Sequence, residues 1–129
     1  MLLADDHPLV RMGLAELLRE LAGIEVLIEA GDGQEALELA LEVQPDIILM
    51  DITMPRMDGI EATRRIKASL PQVPVIGLSM HSDDRMAKAM RDAGAVAFVR
   101  KDAPVNVLIA AILEHAREQP ILRTCDTEA

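Results

Sequence analysis

Aromatic side chains are nearly absent from this 129-residue chain: Phe98 is the only one, with no Trp and no Tyr. A site built on ring stacking, as for a flavin or single-stranded nucleic acid, has nothing to stack on. Basic residues are scarce as well, 13 Lys and Arg against 22 Asp and Glu, for a formal net charge of −9. Such a surface repels a phosphate backbone, which argues against direct DNA contact by these residues. Cys125 is the lone cysteine, so an intramolecular disulfide is excluded, in keeping with a reducing compartment. No apolar run approaches the ~20 residues of a membrane span. The N-terminus meets Asp5 and Asp6 with no basic segment before them, so neither a signal peptide nor a membrane is expected, and the expected location is the cytoplasm.

What the chain does have is aliphatic. Hydrophobic residues make up 50% and charged residues 27%, which describes one globular domain. Short apolar runs alternate with amphipathic ones. Strands are predicted over 1–4 (MLLA), 26–30 (VLIEA), 46–50 (DIILM), 73–79 (VPVIGLS) and 96–99 (VAFV). The helix after the first strand has an apolar stripe of Val10, Leu14, Leu17, Leu18 and Leu21, and the next has Leu37, Ala40 and Leu41. Ile60, Thr63 and Ile66 mark the third helix, Met86, Met90 and Ala93 the fourth, and Val105, Leu108, Ile112 and Ala116 the fifth. Asp32 with Glu35, and Asp58 with Glu61, have capping-box spacing. Gly94 suits a left-handed helix end, and Pro104 suits a first helical turn. Strand–helix alternation of this kind predicts an α/β fold, a doubly wound five-stranded parallel sheet with helices on both faces.

In such a sheet the ligand site lies beyond the carboxyl ends of the strands. Asp5 and Asp6 follow the first strand, Asp51 the third, Ser79 ends the fourth, and Lys101 lies just past the fifth. The stretch "DIILMDITMP" poses the question directly, because an apolar run from Ile47 to Met50 delivers a bare carboxylate at its tip. A charge there needs a partner. Three carboxylates in one cleft repel one another, and a hard cation relieves that repulsion. Oxygen donors with no Cys, and no second His at ligand spacing, describe Mg²⁺ rather than zinc. Beside such a cation Asp51 becomes a nucleophile toward a phosphoryl group, whose transfer needs in-line positioning and neutralised oxygens. Lys101 and the Ser79 hydroxyl are placed to supply the rest.

The stretches "LLADDHPLVRMGL", "DIILMDITMPRMDGIEA", "VIGLSMHSD" and "AGAVAFVRKD" together resemble the receiver domain of two-component response regulators, most closely the NarL/FixJ type. The resemblance spans residues 1–118, leaving 119–129 as a tail or the start of a linker. It implies the flavodoxin-like strand order 2-1-3-4-5. It also implies Asp51 as phosphoacceptor, and a Mg²⁺ bound by Asp6, by Asp5 mostly through water, by Asp51 and by the main-chain carbonyl of Thr53. Lys101 and Ser79 would bind the phosphoryl group. Ser79 and Phe98 would act as the switch pair beneath an output face of fourth helix, fifth strand and fifth helix. Thr53 and His81 would tune dephosphorylation. The implied phosphodonor is a sensor histidine kinase, with homodimerisation on phosphorylation. DNA would be reached only through an output domain absent from these residues. The "MLLA" strand is shorter than usual for such domains, as expected if the chain begins inside a native protein or that edge is trimmed. No helix-turn-helix follows the receiver.

Taken singly, the same residues have plainer readings. Asp5 and Asp6 can cap the helix near Pro8, Lys101 can be a solvated surface residue, and Phe98 can be core. His7 reads as a structural neighbour of the site, and Met86 and Met90 as core filler. The constellation favours a signalling switch, not an enzyme acting on a diffusible substrate, although it would catalyse its own phosphorylation and dephosphorylation. An aspartate-based phosphatase is disfavoured because Thr53 stands where such enzymes place an acid. The alternative output is a free-standing receiver that acts on a protein target or in a phosphorelay.

Overall fold

A computed structural model describes residues 1–22, 27–80 and 84–116. The elements alternate strictly: β1 (Leu2–Ala4), α1 (Pro8–Ala22), β2 (Ile28–Ala30), α2 (Gly33–Val43), β3 (Ile48–Asp51), α3 (Gly59–Ser69), β4 (Val75–Ser79), α4 (Asp84–Ala93), β5 (Ala97–Arg100) and α5 (Val105–Ala116). All strand pairs are parallel, as the sequence pattern predicts, and the order is β2-β1-β3-β4-β5, as the resemblance implies. The tail at 119–129, Cys125 and His81 lie outside the described residues. Among the described residues no helix is long and apolar enough to cross a membrane.

Alternate residues of each central strand feed two cores. Leu2, Ala4, Ile48, Met50 and Val75 pack with Ala36 and Ala40 of α2, Ala62 and Ile66 of α3, and Met90 of α4. Leu3, Leu49, Ile76 and Leu78 pack with Ala15 and Leu18 of α1 and with Leu108 and Ile112 of α5. Burial on both faces explains the uninterrupted apolar runs. All five strands begin one or two residues later than predicted. At β4 the reason is Pro74, which has no N–H for the ladder, although its carbonyl accepts from Ile48 N at 3.0 Å. At the other end β3 runs one residue further and includes Asp51, in register with Leu78. The acid is therefore held by the ladder and is not carried on a loose loop.

The helix termini follow local chemistry. Asp32 Oδ1 accepts from Glu35 N at 2.8 Å, and Asp58 Oδ1 accepts from Glu61 N at 2.8 Å. The reciprocal arm of each box goes elsewhere: Glu35 Oε1 accepts from Gly31 N at 2.7 Å, and the Glu61 carboxylate holds Arg64 and Arg65. Gly94 closes α4 at φ +117°, a conformation open mainly to glycine.

Two predicted stripes hold in part: Leu14, Leu18, Leu37 and Ala40 face the core as expected, and the other described members are corrected. In α1, Val10 and Leu17 are exposed, at 46% and 41%, whereas Ala15 and Leu18 are fully buried. The cause is Arg11, whose Nε donates to Glu29 Oε1 on β2 at 3.0 Å and whose Nη1 donates to the Asp5 carbonyl at 2.7 Å. That pair points Arg11 inward and sets the helix rotation, so the buried face runs 11, 15, 18 at helical spacing. In α2, Leu41 is likewise exposed, and Ala36 and Ala40 take the inner positions. Leu18→Ala is expected to lower stability by about 3 kcal/mol, and Leu17→Ala by less than about 1 kcal/mol. Urea denaturation of both variants checks the rotation; equal losses would return the helix to the predicted stripe.

Candidate functional site

The carboxyl ends of β1, β3, β4 and β5 converge as the parallel order requires. Asp5 is fully buried, Asp51 is 4% exposed and Ser79 5% exposed. Lys101 Nζ lies 2.6 Å from Asp5 Oδ2 and 3.1 Å from Asp51 Oδ2, and the Lys101 backbone N–H donates to the Ser79 carbonyl at 2.7 Å. Side-chain ligand atoms of Asp5, Asp6, His7 and Asp51 all fall within 4.8 Å of one another. The cluster read from the strand ends is thus present. Thr53 sits exposed in the loop after β3. Phe98 is half-buried and packs into the core face formed with Met90, with its Cδ1 against the space that a side chain at Gly77 would fill.

Three supporting features went unassigned in the sequence. Arg11 fastens the Asp5 carbonyl to β2, as described above. Gly59, the first residue of α3, donates its N–H to the Ile52 carbonyl at 2.7 Å, and a Cβ there would fall 2.0 Å from the Asp51 carbonyl oxygen. Only glycine lets α3 begin directly behind the acid; the "DG" pair of "MDGIEA" was the available signal. The third is Arg56, at φ +67°, whose guanidinium hydrogen-bonds buried Asp32 and ties the 52–58 loop to the start of α2. That hydrogen bond holds the Asp32 carboxyl below its ordinary range.

The electrostatics are unbalanced. Burial pushes the Asp51 carboxyl above its ordinary value; Lys101 pulls it down, and Asp5 and Asp6 add to the rise. Burial by itself would lower Lys101, but its hydrogen bond to Asp5 and the charge of Asp51 hold it above the usual lysine value. Two unit charges at about 4 Å interact by about 4 kcal/mol at an effective dielectric near 20. One ammonium therefore does not offset the mutual repulsion of three carboxylates. Among the described residues, moreover, Asp6 Oδ1 is buried with no hydrogen-bond donor, an expensive condition for a carboxylate. A cation with a preference for oxygen fits this donor set.

A pH dependence follows. Because the folded-state value of Asp51 is raised above 3.8, the folded state holds that proton more tightly than the unfolded chain does. The stability linked to Asp51 is highest below pH 3.8, falls as pH rises through the folded value, and remains low at neutrality. Metal-free Asp51→Asn is expected to be more stable than the wild type at pH 7, by a margin that vanishes in acid. Paired urea titrations across pH with chelator present check this, and a margin independent of pH would contradict it.

The family model described as "Response regulator receiver domain" matches residues 1–113. The transcriptional regulatory protein PdtaR of Mycobacterium tuberculosis is 48% identical over 111 residues, 86% of this chain and 53% of that protein. A two-component response regulator of the LuxR family from Aurantimonas superposes with a TM-score of 0.85 at 36% identity, over 92% of this chain and 84% of its own. The signal receiver domain of NarL from Mycobacterium tuberculosis gives a TM-score of 0.83 at 33% identity, over 90% and 94%. The chain spans about half the length of the curated relatives it matches. With parallel order, strand-end acids and lysine in place, the chain belongs to the receiver domains of two-component response regulators, a family of signalling switches.

Proposed function

We propose that Asp51 accepts a phosphoryl group from a phosphohistidine of a sensor histidine kinase. One observation carries the reading: a single ammonium, Lys101, lies between buried Asp5 and Asp51 at 2.6 and 3.1 Å, with Asp6 beside them. An Asp51 carboxylate oxygen forms the new O–P bond as the P–N bond to the donor imidazole breaks, and the imidazole takes up a proton. Asp5, Asp6, Asp51 and the main-chain carbonyl of Thr53 would hold Mg²⁺, which supplies charge neutralisation at the phosphoryl oxygens when bound. Lys101 transfers its ammonium from the carboxylates to a phosphoryl oxygen, and the Ser79 hydroxyl donates to another. The family's general reliance on Mg²⁺ and the orphaned Asp6 oxygen support the metal.

Loss of the group to water closes the cycle: water attacks phosphorus, the Asp51 O–P bond breaks, and inorganic phosphate leaves. Thr53, exposed two residues on, and His81 would tune that step. Phe98 is the switch aromatic, with Ser79, beneath the face made by α4, β5 and α5, and homodimerisation accompanies phosphorylation. Residues 1–118 form the receiver, and 119–129 begin a linker to a DNA-binding output domain. The relatives named as transcriptional regulators, about twice as long as the matched region, support that output.

Incubation with acetyl phosphate and Mg²⁺ should label the wild type on Asp51, with no label on Asp51→Asn and none after chelation. Lys101→Ala should label slower by about tenfold or more, as expected for loss of a charge-stabilising group. Intact-mass spectrometry reads all three, and label surviving both Asp51→Asn and chelation would remove the proposal.

A further inference from the structure

His7 stands apart from the roles assigned so far, yet its imidazole faces the acids. Nδ1 lies 3.0 Å from Asp6 Oδ1 and 3.5 Å from Asp5 Oδ1. The Asp6 Oδ1 atom nevertheless has no hydrogen-bond donor directed at it from among the described residues. The two atoms therefore stand side by side without an N–H between them. Adjacent ligands of a six-coordinate cation with bonds near 2.1 Å are about 3.0 Å apart. The His7–Asp6 edge has that length.

The backbone fixes this placement. His7 N donates to Asp5 Oδ1 at 2.9 Å, and the His7 carbonyl accepts from Arg11 N at 2.9 Å. Pro8 restricts the residue before it, so the torsions left to His7 are mainly those of its side chain. At 66% side-chain exposure the ring has not been buried for packing. An ordinary helix-capping residue needs no ring turned onto two carboxylates.

We propose that His7 ligates the divalent cation through Nδ1, so that the site takes nitrogen-preferring first-row transition ions such as Ni²⁺ more tightly than its carboxylates alone would. This rests on the metal reading above. Imidazole contributes little to Mg²⁺, which selects oxygen, and much to the later first-row ions. Mg²⁺ and a transition ion would then share the carboxylates, and His7 would distinguish between them.

Mn²⁺ serves as the probe, on the full chain. Free Mn²⁺ gives a six-line electron paramagnetic resonance spectrum that is lost on binding, and spin-echo modulation of the bound ion reports a directly ligated ¹⁴N. The expected result is ¹⁴N modulation in the wild type and none in His7→Ala or His7→Gln. Displacement of the bound Mn²⁺ should show Ni²⁺ affinity falling several-fold in both variants while Mg²⁺ affinity holds within about twofold, as the ligand preferences require. Mn²⁺ bound without ¹⁴N modulation, modulation that persists in His7→Ala, or equal changes for Ni²⁺ and Mg²⁺ would each overturn the assignment and leave the carboxylate site intact. No Mn²⁺ binding by the wild type would instead remove the metal reading, and His7 with it.

Discussion

Lys101 Nζ reaches from just past β5, across β4, to a carboxylate on β3 and one just after β1, at 3.1 Å from Asp51 and 2.6 Å from Asp5. The ammonium and both acids are almost wholly buried, and each would be intolerable there alone. Removing the ammonium would leave buried carboxylates uncompensated, a loss that typically costs about 3–5 kcal/mol. The arrangement also has geometric content. The Lys101 backbone N–H is fastened to the Ser79 carbonyl, and Asp51 is paired in register with Leu78 on the same β4. The ends of β1, β3, β4 and β5 are therefore joined by one ammonium and the ladder beneath it. A lateral shift of any of these strands would separate the ammonium from the acids it serves.

Scaffolding around this centre works through backbone contacts more than side-chain bulk. Gly59 allows α3 to start against the Asp51 carbonyl, and Arg11 holds the Asp5 carbonyl through a pair with Glu29. Arg56 fastens the loop after β3 to Asp32 at the head of α2. Each tie fixes a carbonyl or a loop next to a functional acid and leaves the carboxylate oxygens facing the cluster. Rigid support behind a site and open valence within it is what positioned chemistry requires.

How much of this a sequence can show depends on the range of the interaction. The apolar lead-in from Ile47 to Met50 identifies Asp51 because only a doubly buried strand needs it, and parallel order then gathers Asp5, Asp6, Ser79 and Lys101. Asp32 and Asp58 are legible because a cap acts across three residues. The rotation of α1 is not. The helix is apolar on most sides, with Leu9, Val10, Met12 and Leu17 all exposed. Periodicity therefore cannot select its inner face, which is chosen by an ion pair to Glu29, eighteen residues from Arg11. The sharing of Lys101 with Asp5 is hidden for a similar reason: chain order says that Lys101 is near the acids, and only the sheet's twist decides which it touches first. Gly59 was visible as a letter, but its meaning depends on where the Asp51 carbonyl lies in space.

The shortage of positive charge also bears on switching. One ammonium serves acids at 5 and 51 while a third, Asp6, keeps an unsatisfied oxygen, so a new charge at Asp51 must change how Lys101 is divided between them. On the proposed chemistry a phosphoryl group offers charge-assisted hydrogen bonds to Lys101 and Ser79, each worth about 1.5–3 kcal/mol. Moving a two-state equilibrium from 1:99 to 99:1 takes about 5.5 kcal/mol. One such bond falls short of that figure, whereas two together reach about 3–6 kcal/mol. On that proposal a swing of this size would need both groups, and the hydrogen bond from the Lys101 backbone to the Ser79 carbonyl would couple their movements. Phe98, three residues before Lys101 and in register with Gly77 on β4, lies where that joint movement would first alter packing.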